Sequence, residues 1–288
     1  MFLSKLQIKS FSRLGFTVLE NFASLKEVNN LKAAANNICQ TTPIEEINGF
    51  FTSNAQKIES RNNDYFLNSA DKVRIFLEEG VKKEDINNQN LMNKINKIGH
   101  GLHLHNPAFR DFINNHKIKN ISRDLKMTNP VVAQSMYIVK PPNIGGEVKP
   151  HQDNSYLYTY PPSCLGFWLP LDDATIDNGC LWVYPGSHSF PLDNRFLFFK
   201  ETGKLHYQPD VDIKYLNQVW DPSQFVPLEL KAGSLLVFHG NLVHKSDANY
   251  SDKSRHAFTF HLISGNSSWS CRNWLQYPED KSFMELMG

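Results

Sequence analysis

The chain has 288 residues and a formal charge of +1, from 30 Lys plus Arg against 29 Asp plus Glu. That balance gives no electrostatic reason to expect nucleic acid or an anionic membrane as a partner, and no apolar run approaches the roughly 18 residues needed to cross a bilayer. The length suits one catalytic body that takes a small-molecule substrate into a pocket, and it leaves the oligomeric state open.

In chain order, the basic opening stretch 1–13 reads as a first amphipathic helix rather than a transit peptide. Residues 25–38 follow Ser24, with Glu27 three positions on and apolar residues at three- and four-residue steps. That is a helix with a capping box. The Asn-rich stretch 44–63 reads as loop or short helix, and 69–79, closed by Gly80, fits a helix or an edge strand. Residues 106–115, with Pro107 just inside a cap, and 118–125 read as two more helices. From 131 the pattern changes to short β-branched and aromatic runs at 131–139, 165–171, 180–184, 227–230, 234–239 and 257–263. Asn178-Gly179 and Pro185-Gly186 mark sharp reversals between them. The expected fold class is mainly β with N-terminal helices: a single domain over 1–288, with helical support over 1–127, a sandwich or jelly roll over 128–270, and an insertion or lid over 193–223. Cys39, Cys164, Cys180 and Cys271 show neither metal-like spacing nor disulfide density, so they read as reduced thiols of a cytoplasmic protein.

The chemistry lies in His151, Asp153, His244 and Arg255. On a strand, positions i and i+2 face the same way, so His151 and Asp153 offer an imidazole and a carboxylate to one ion while Gln152 points away. With 11 His and 16 Asp in the chain, chance alone supplies roughly 0.6 His-x-Asp triplets, and the triplet carries weight only with its surroundings. His244 is the third ligand, from another strand. Two imidazoles and one carboxylate form the facial triad that holds non-heme Fe(II) and leaves three positions open. Arg255 stands one polar turn beyond His244, so that a hairpin would set it beside the His244 strand. Its planar fork suits a buried carboxylate, and the co-substrate this implies is 2-oxoglutarate, with O₂ in the last position. Ser246 shares the parity of His244 and is a hydroxyl partner for the same co-substrate.

The string HQDNSYLYT starting at His151, DDATIDNGCLWVYPGSH starting at Asp172, HGNLVHKS starting at His239 and SDKSR ending at Arg255 closely resemble the phytanoyl-CoA dioxygenase family. The resemblance runs from about residue 4 to 275 and includes DYFL at 64–67 and INKIGH at 95–100. It implies the double-stranded β-helix (jelly roll, cupin-like) of Fe(II)/2-oxoglutarate oxygenases. It implies iron on His151, Asp153 and His244, and 2-oxoglutarate on Arg255. It adds Lys97, Met136, Gln152 and Trp168 as pocket residues, which spacing alone does not select. The reaction it implies is hydroxylation of a small organic or acyl substrate with release of succinate and CO₂, and with ascorbate as a reductant. Halogenating relatives replace the carboxylate that Asp153 retains here. No basic cluster marks a CoA phosphate.

Two readings from other classes stand beside this one: a 2-oxoglutarate-binding sensor with weak turnover, and a zinc cupin acting as a hydrolase. His100, His103 and His105 could suggest zinc but read as packing, and His188, His239, His256 and His261 read as supporting or packing groups. Trp168 and Trp182 suit the core as well as the pocket. Tyr156, Tyr158 and Tyr160 alternate, and either line a channel or cover a sheet face.

Overall fold

The computed structural model describes residues 1–50, 64–209 and 220–286. The elements in order are α1 (Lys5–Leu14), β1 (Phe16–Leu19), α2 (Leu25–Thr41), β2 (Gly49–Phe50), α3 (Asp64–Leu67), β3 (Val73–Leu77), β4 (Ile95–His100), α4 (Leu102–His105), α5 (Pro107–Ile113), α6 (His116–Asp124) and β5 (Pro130–Lys140). There follow β6 (Val148–His151), β7 (Thr159–Tyr160), β8 (Leu165–Pro170), β9 (Leu181–Val183), β10 (Asn194–Phe199), β11 (Lys204–Pro209), β12 (Val226–Leu228), β13 (Leu235–His239), β14 (His244–Ser246), β15 (Arg255–Ser264), β16 (Ser268–Trp269) and β17 (Met284–Glu285).

Two sheets face each other. The large one runs β1-β13-β8-β15-β5-β4-β3-β2, with β17 also on β5, and the small one runs β12-β9-β14-β6. Side-chain alternation divides the large sheet between two tasks. On β15, Phe258, Phe260 and Leu262 pack with Phe167 and Leu169 of β8 against Leu31 of α2, Phe109 and Phe112 of α5 and Ile118 of α6. Phe167 and Phe260 stack with centroids 4.7 Å apart. The opposite face presents Arg255, Thr259 and His261 of β15, Met136 and Lys140 of β5 and Trp168 of β8 to the small sheet and the space before it.

The helices read from the sequence are present. Ser24 and Glu27 form the capping box of α2, each reaching the other's backbone N–H, and Asn106 caps α5 with Pro107 at its start. All six β runs read from the sequence are strands. The stretch 69–79, left between helix and strand, contains β3, an inner strand between β2 and β4. Besides its helices the first third supplies β1 to β4 to the large sheet. Strand β4 escaped the reading because Asn96 and Lys97 interrupt its apolar pattern. The insertion at 193–223 contains an antiparallel hairpin of β10 and β11. The expectation for 51–63, and the middle of the insertion at 210–219, lie outside the described residues. No helix among the described residues is long and apolar enough to cross a membrane.

Candidate active site

A cavity of about 370 Å³ opens between the sheets, and both contribute to its walls. His151 ends β6. Gln152 continues extended, at φ −115° and ψ 134°, and Asp153 begins a 3₁₀ turn, Asp153–Ser155. The sequence reading put His151 and Asp153 on one strand; the strand stops at His151, and the extended Gln152 alone keeps the two side chains on one side. His244 opens β14 and pairs in register with His151, so the imidazole rings lie 4.2 Å apart at their centroids.

The Nε2 atoms of His151 and His244 are 3.5 and 3.7 Å from Oδ1 of Asp153. The three residues each offer a donor atom, and these atoms lie within 4.8 Å of one another. Both imidazoles are held by the backbone: Nδ1 of His151 is 2.8 Å from the Lys149 carbonyl, and Nδ1 of His244 is 3.0 Å from that of Leu242. A carbonyl only accepts, so each Nδ1 carries the hydrogen and each Nε2 turns a lone pair toward Asp153. Burial, with His151 alongside, pulls His244 down to about 4, so its imidazole is neutral at physiological pH. Burial would raise the Asp153 carboxyl, but the neighbouring histidines, His261 and His244 first, hold it well below the usual carboxylate range. Neutral imidazoles and an ionised carboxylate are the donor set a divalent cation needs.

The Arg255 guanidinium is 1% exposed. Its Nη2 donates to the Gly179 carbonyl at 3.1 Å, while Nε and Nη1 are buried with no hydrogen-bond partner among the described residues. Trp168 lies beneath it, 5.4 Å from guanidinium carbon to ring centre. Burial lowers Arg255 to about 10, so it remains a cation at neutral pH. A buried cation with two idle donors, on a residue that lines the cavity, is suited to an incoming carboxylate. Ser246 donates to the same Gly179 carbonyl at 2.8 Å, which places its hydroxyl beside the guanidinium. Gly179 has φ +80°, and a Cβ there would lie 2.6 Å from the Asp247 carbonyl, so this junction requires glycine.

One placement differs from expectation. Arg255 does not reach the site through a hairpin with the His244 strand. Strand β14 pairs with β6 and β9, and β15 pairs with β5 and β8, so the turn between them crosses from the small sheet to the large one. Arg255 therefore approaches from the opposite wall. Lys97 and Met136 also line the cavity, with Lys97 Nζ 5.3 Å from the Phe76 ring centre and 4.0 Å from the Met136 sulfur. Gln152 turns its amide aside as strand parity predicts: Nε2 donates to the Asn241 carbonyl at 2.9 Å, and Oε1 accepts from the Asp193 N–H at 3.0 Å.

Two residues at the site were not singled out from the sequence for the parts they occupy. Of the two parts the sequence allows His261, supporting or packing, it takes the first, its Nε2 meeting Oδ2 of Asp153 at 2.8 Å, a partner that the sequence does not name. Lys140, the register partner of Arg255, is 2% exposed, donates to the Gly146 and Asp247 carbonyls, and is lowered to about 7 by burial and the neighbouring Arg255. Charged side chains are so rarely buried that sequence alone does not point to it. Tyr156 lines the cavity and meets Tyr207 of the insertion hairpin, hydroxyl to hydroxyl, at 2.9 Å. Tyr158 lies under Arg195, and Tyr160 is exposed. His100, His103 and His105 bond to Ser69, Ser135 and the Asp71 carbonyl, and His100 also lines the cavity.

The family model of phytanoyl-CoA dioxygenase (PhyH) matches residues 11–257. Phytanoyl-CoA dioxygenase domain-containing protein 1 of Rattus norvegicus is 40% identical over 290 residues, covering 99% of this chain and 98% of that protein. A phytanoyl-CoA dioxygenase of Arabidopsis thaliana is 40% identical over 272 residues, covering 94% and 92%. Among solved structures, EctD from S. alaskensis with 2-oxoglutarate and 5-hydroxyectoine superposes at a TM-score of 0.63 with 21% identity, over 93% of this chain and 79% of that one. The epimerase SnoN in complex with Fe3+, alpha ketoglutarate and nogalamycin RO gives 0.66 with 14% identity, over 98% of each.

Proposed function

The chain belongs to the phytanoyl-CoA dioxygenase (PhyH) family and is a 2-oxoglutarate-dependent oxygenase, and from that premise we propose that it hydroxylates a small organic or acyl molecule held between its two sheets. His151, Asp153 and His244 hold Fe(II), and Arg255 with Ser246 receives the far carboxylate of 2-oxoglutarate. Lys97, Met136 and Trp168 line its path, and Gln152 braces the turn that carries Asp153. The single observation that carries this reading is the pair of buried, unpartnered Arg255 donors in the same cavity as the converging triad.

Ferrous iron, when bound, supplies the oxidative chemistry by which O₂ and 2-oxoglutarate are consumed, succinate and CO₂ released and one oxygen delivered to a substrate C–H bond. The work of the chain is positional. The Lys149 and Leu242 carbonyls keep both Nε2 lone pairs aimed inward. Arg255 supplies a fork that needs no reorganisation on binding. Phe66, Leu157, Tyr156 and Trp274 give the cavity apolar walls, hold an apolar substrate body and exclude water from the reacting centre. The four cysteines form no disulfide, which suits a reducing compartment.

The test is succinate release by the Fe(II)-loaded protein, with O₂, 2-oxoglutarate and ascorbate, against fractions of a metabolite extract, followed by mass spectrometry for a gain of one oxygen. A fraction that stimulates succinate and yields the oxygenated compound in equal amount is expected. Tight 2-oxoglutarate binding with no stimulation by any fraction would favour the sensor reading.

A further inference from the structure

Asp153 divides its two oxygens between the two sheets. Oδ1 turns toward His151 and His244 at 3.5 and 3.7 Å, and Oδ2 is bonded to Nε2 of His261 at 2.8 Å. His261 lies on β15, on the face of Arg255 and Thr259, and is 3% exposed. Its other nitrogen, Nδ1, is 3.2 Å from the amide nitrogen of Gln134, its register partner on β5. An amide nitrogen only donates, so Nδ1 accepts and Nε2 carries the hydrogen that points at Oδ2. Among the described residues, no other side chain donates to Oδ2.

We propose that His261, oriented by Gln134, is a positioning residue that restricts Asp153 to binding iron through one oxygen. A carboxylate binds cations through one oxygen or two. The reaction needs three free positions on the metal, two for the 2-oxo acid end of 2-oxoglutarate and one for O₂. If Oδ2 swung onto the metal, one of those positions would close. The His261 N–H holds Oδ2 on the large sheet and keeps the position open, and it also aims Oδ1. The inference rests on the iron reading of the triad.

The test uses the full-length protein and Co(II), whose visible spectrum reports coordination number. The unsubstituted protein is titrated first; failure to bind Co(II) would overturn the iron reading itself. Given binding, His261→Leu is expected to weaken Co(II) affinity about 10- to 100-fold, to change the Co(II) spectrum toward a higher protein-ligand count, and to weaken 2-oxoglutarate binding to the Co(II) form. His261→Gln, which restores an N–H donor, is expected to recover most of both affinities. Gln134→Leu, which leaves His261 in place with its tautomer unpinned, is expected to fall between. Leu and Gln variants that match the unsubstituted protein in affinity and spectrum would overturn the proposal, as would two folded variants that fail alike. Should His261→Leu lose its cooperative thermal transition, Gln134→Leu decides: a Co(II) spectrum and 2-oxoglutarate affinity equal to the unsubstituted protein would overturn the proposal.

Discussion

Replacing Arg255 by Met separates a residue that serves a ligand from one that serves the fold. In the unliganded protein the guanidinium is buried, makes one hydrogen bond, to the Gly179 carbonyl, and leaves Nε and Nη1 idle. Each buried, unmet donor costs about 1–3 kcal/mol. The Gly179 carbonyl keeps its bond from Ser246 in the variant, so the substitution leaves no new orphan there. Swapping a poorly paired buried charge for an apolar side chain of similar length is commonly neutral or stabilising. The unliganded Arg255→Met protein is therefore expected to melt at or above the temperature of the unsubstituted protein. Binding should respond in the opposite direction. Two charge-assisted bonds to a carboxylate contribute at least about 3 kcal/mol together, which converts to a rise of about 150-fold in the Kd for 2-oxoglutarate. Arg255→Lys keeps the charge without the fork and should fall between, near tenfold. Calorimetric titration with 2-oxoglutarate in the presence of Co(II), beside thermal melts with and without the ligand, reads both quantities. An unchanged Kd, or a melting temperature that falls by many degrees, would refute the assignment of the idle donors to a ligand.

Other outcomes follow from the same geometry. Asp153→Ala should abolish Co(II) binding in a titration while far-ultraviolet circular dichroism stays unchanged, because the residue sits in a short turn outside the sheets. Buried His103, lowered to about 3, and His239, His244 and His256, each lowered to about 4, owe their shifts first to burial. Unfolded, each takes up a proton near 6.5, so metal-free stability is full above that pH and is lost as pH falls toward 4. Each contributes about 2 kcal/mol of loss by pH 5, visible as a falling denaturation midpoint. Lys140 has the same sign at higher pH: unfolded near 10.5 and folded at about 7, it makes the protein more stable as pH rises from 7 to 10. Lys140→Met should flatten that rise in melting temperature. Phe167→Ala, which removes a fully buried ring stacked on Phe260, should cost about 3–5 kcal/mol in a urea titration.

The parts of the molecule that the sequence revealed are those whose signal is local. The capping box at Ser24 and Glu27, the proline start of α5 and the apolar alternation of β15 are each legible within a few residues. The triad was legible because strand parity constrains neighbouring side chains, and Gln152 keeps that parity although β6 has already ended. What escaped depends on pairings distant in sequence. Nothing near Lys140 announces that it will face Arg255 across two strands. Nothing near His261 announces Gln134 on one side and Asp153 on the other. The hairpin expected between His244 and Arg255 failed for the same reason: a short polar turn serves equally to close two neighbouring strands or to carry the chain from one sheet to its opposite.

That crossing has a mechanical consequence. The triad of His151, Asp153 and His244 hangs from the small sheet, at β6, β14 and the turn after β6, whereas Arg255 hangs from the large one. A molecule gripped at both ends would therefore join the two layers, like a rivet through two plates, beside the bond that Asp153 and His261 already make between them.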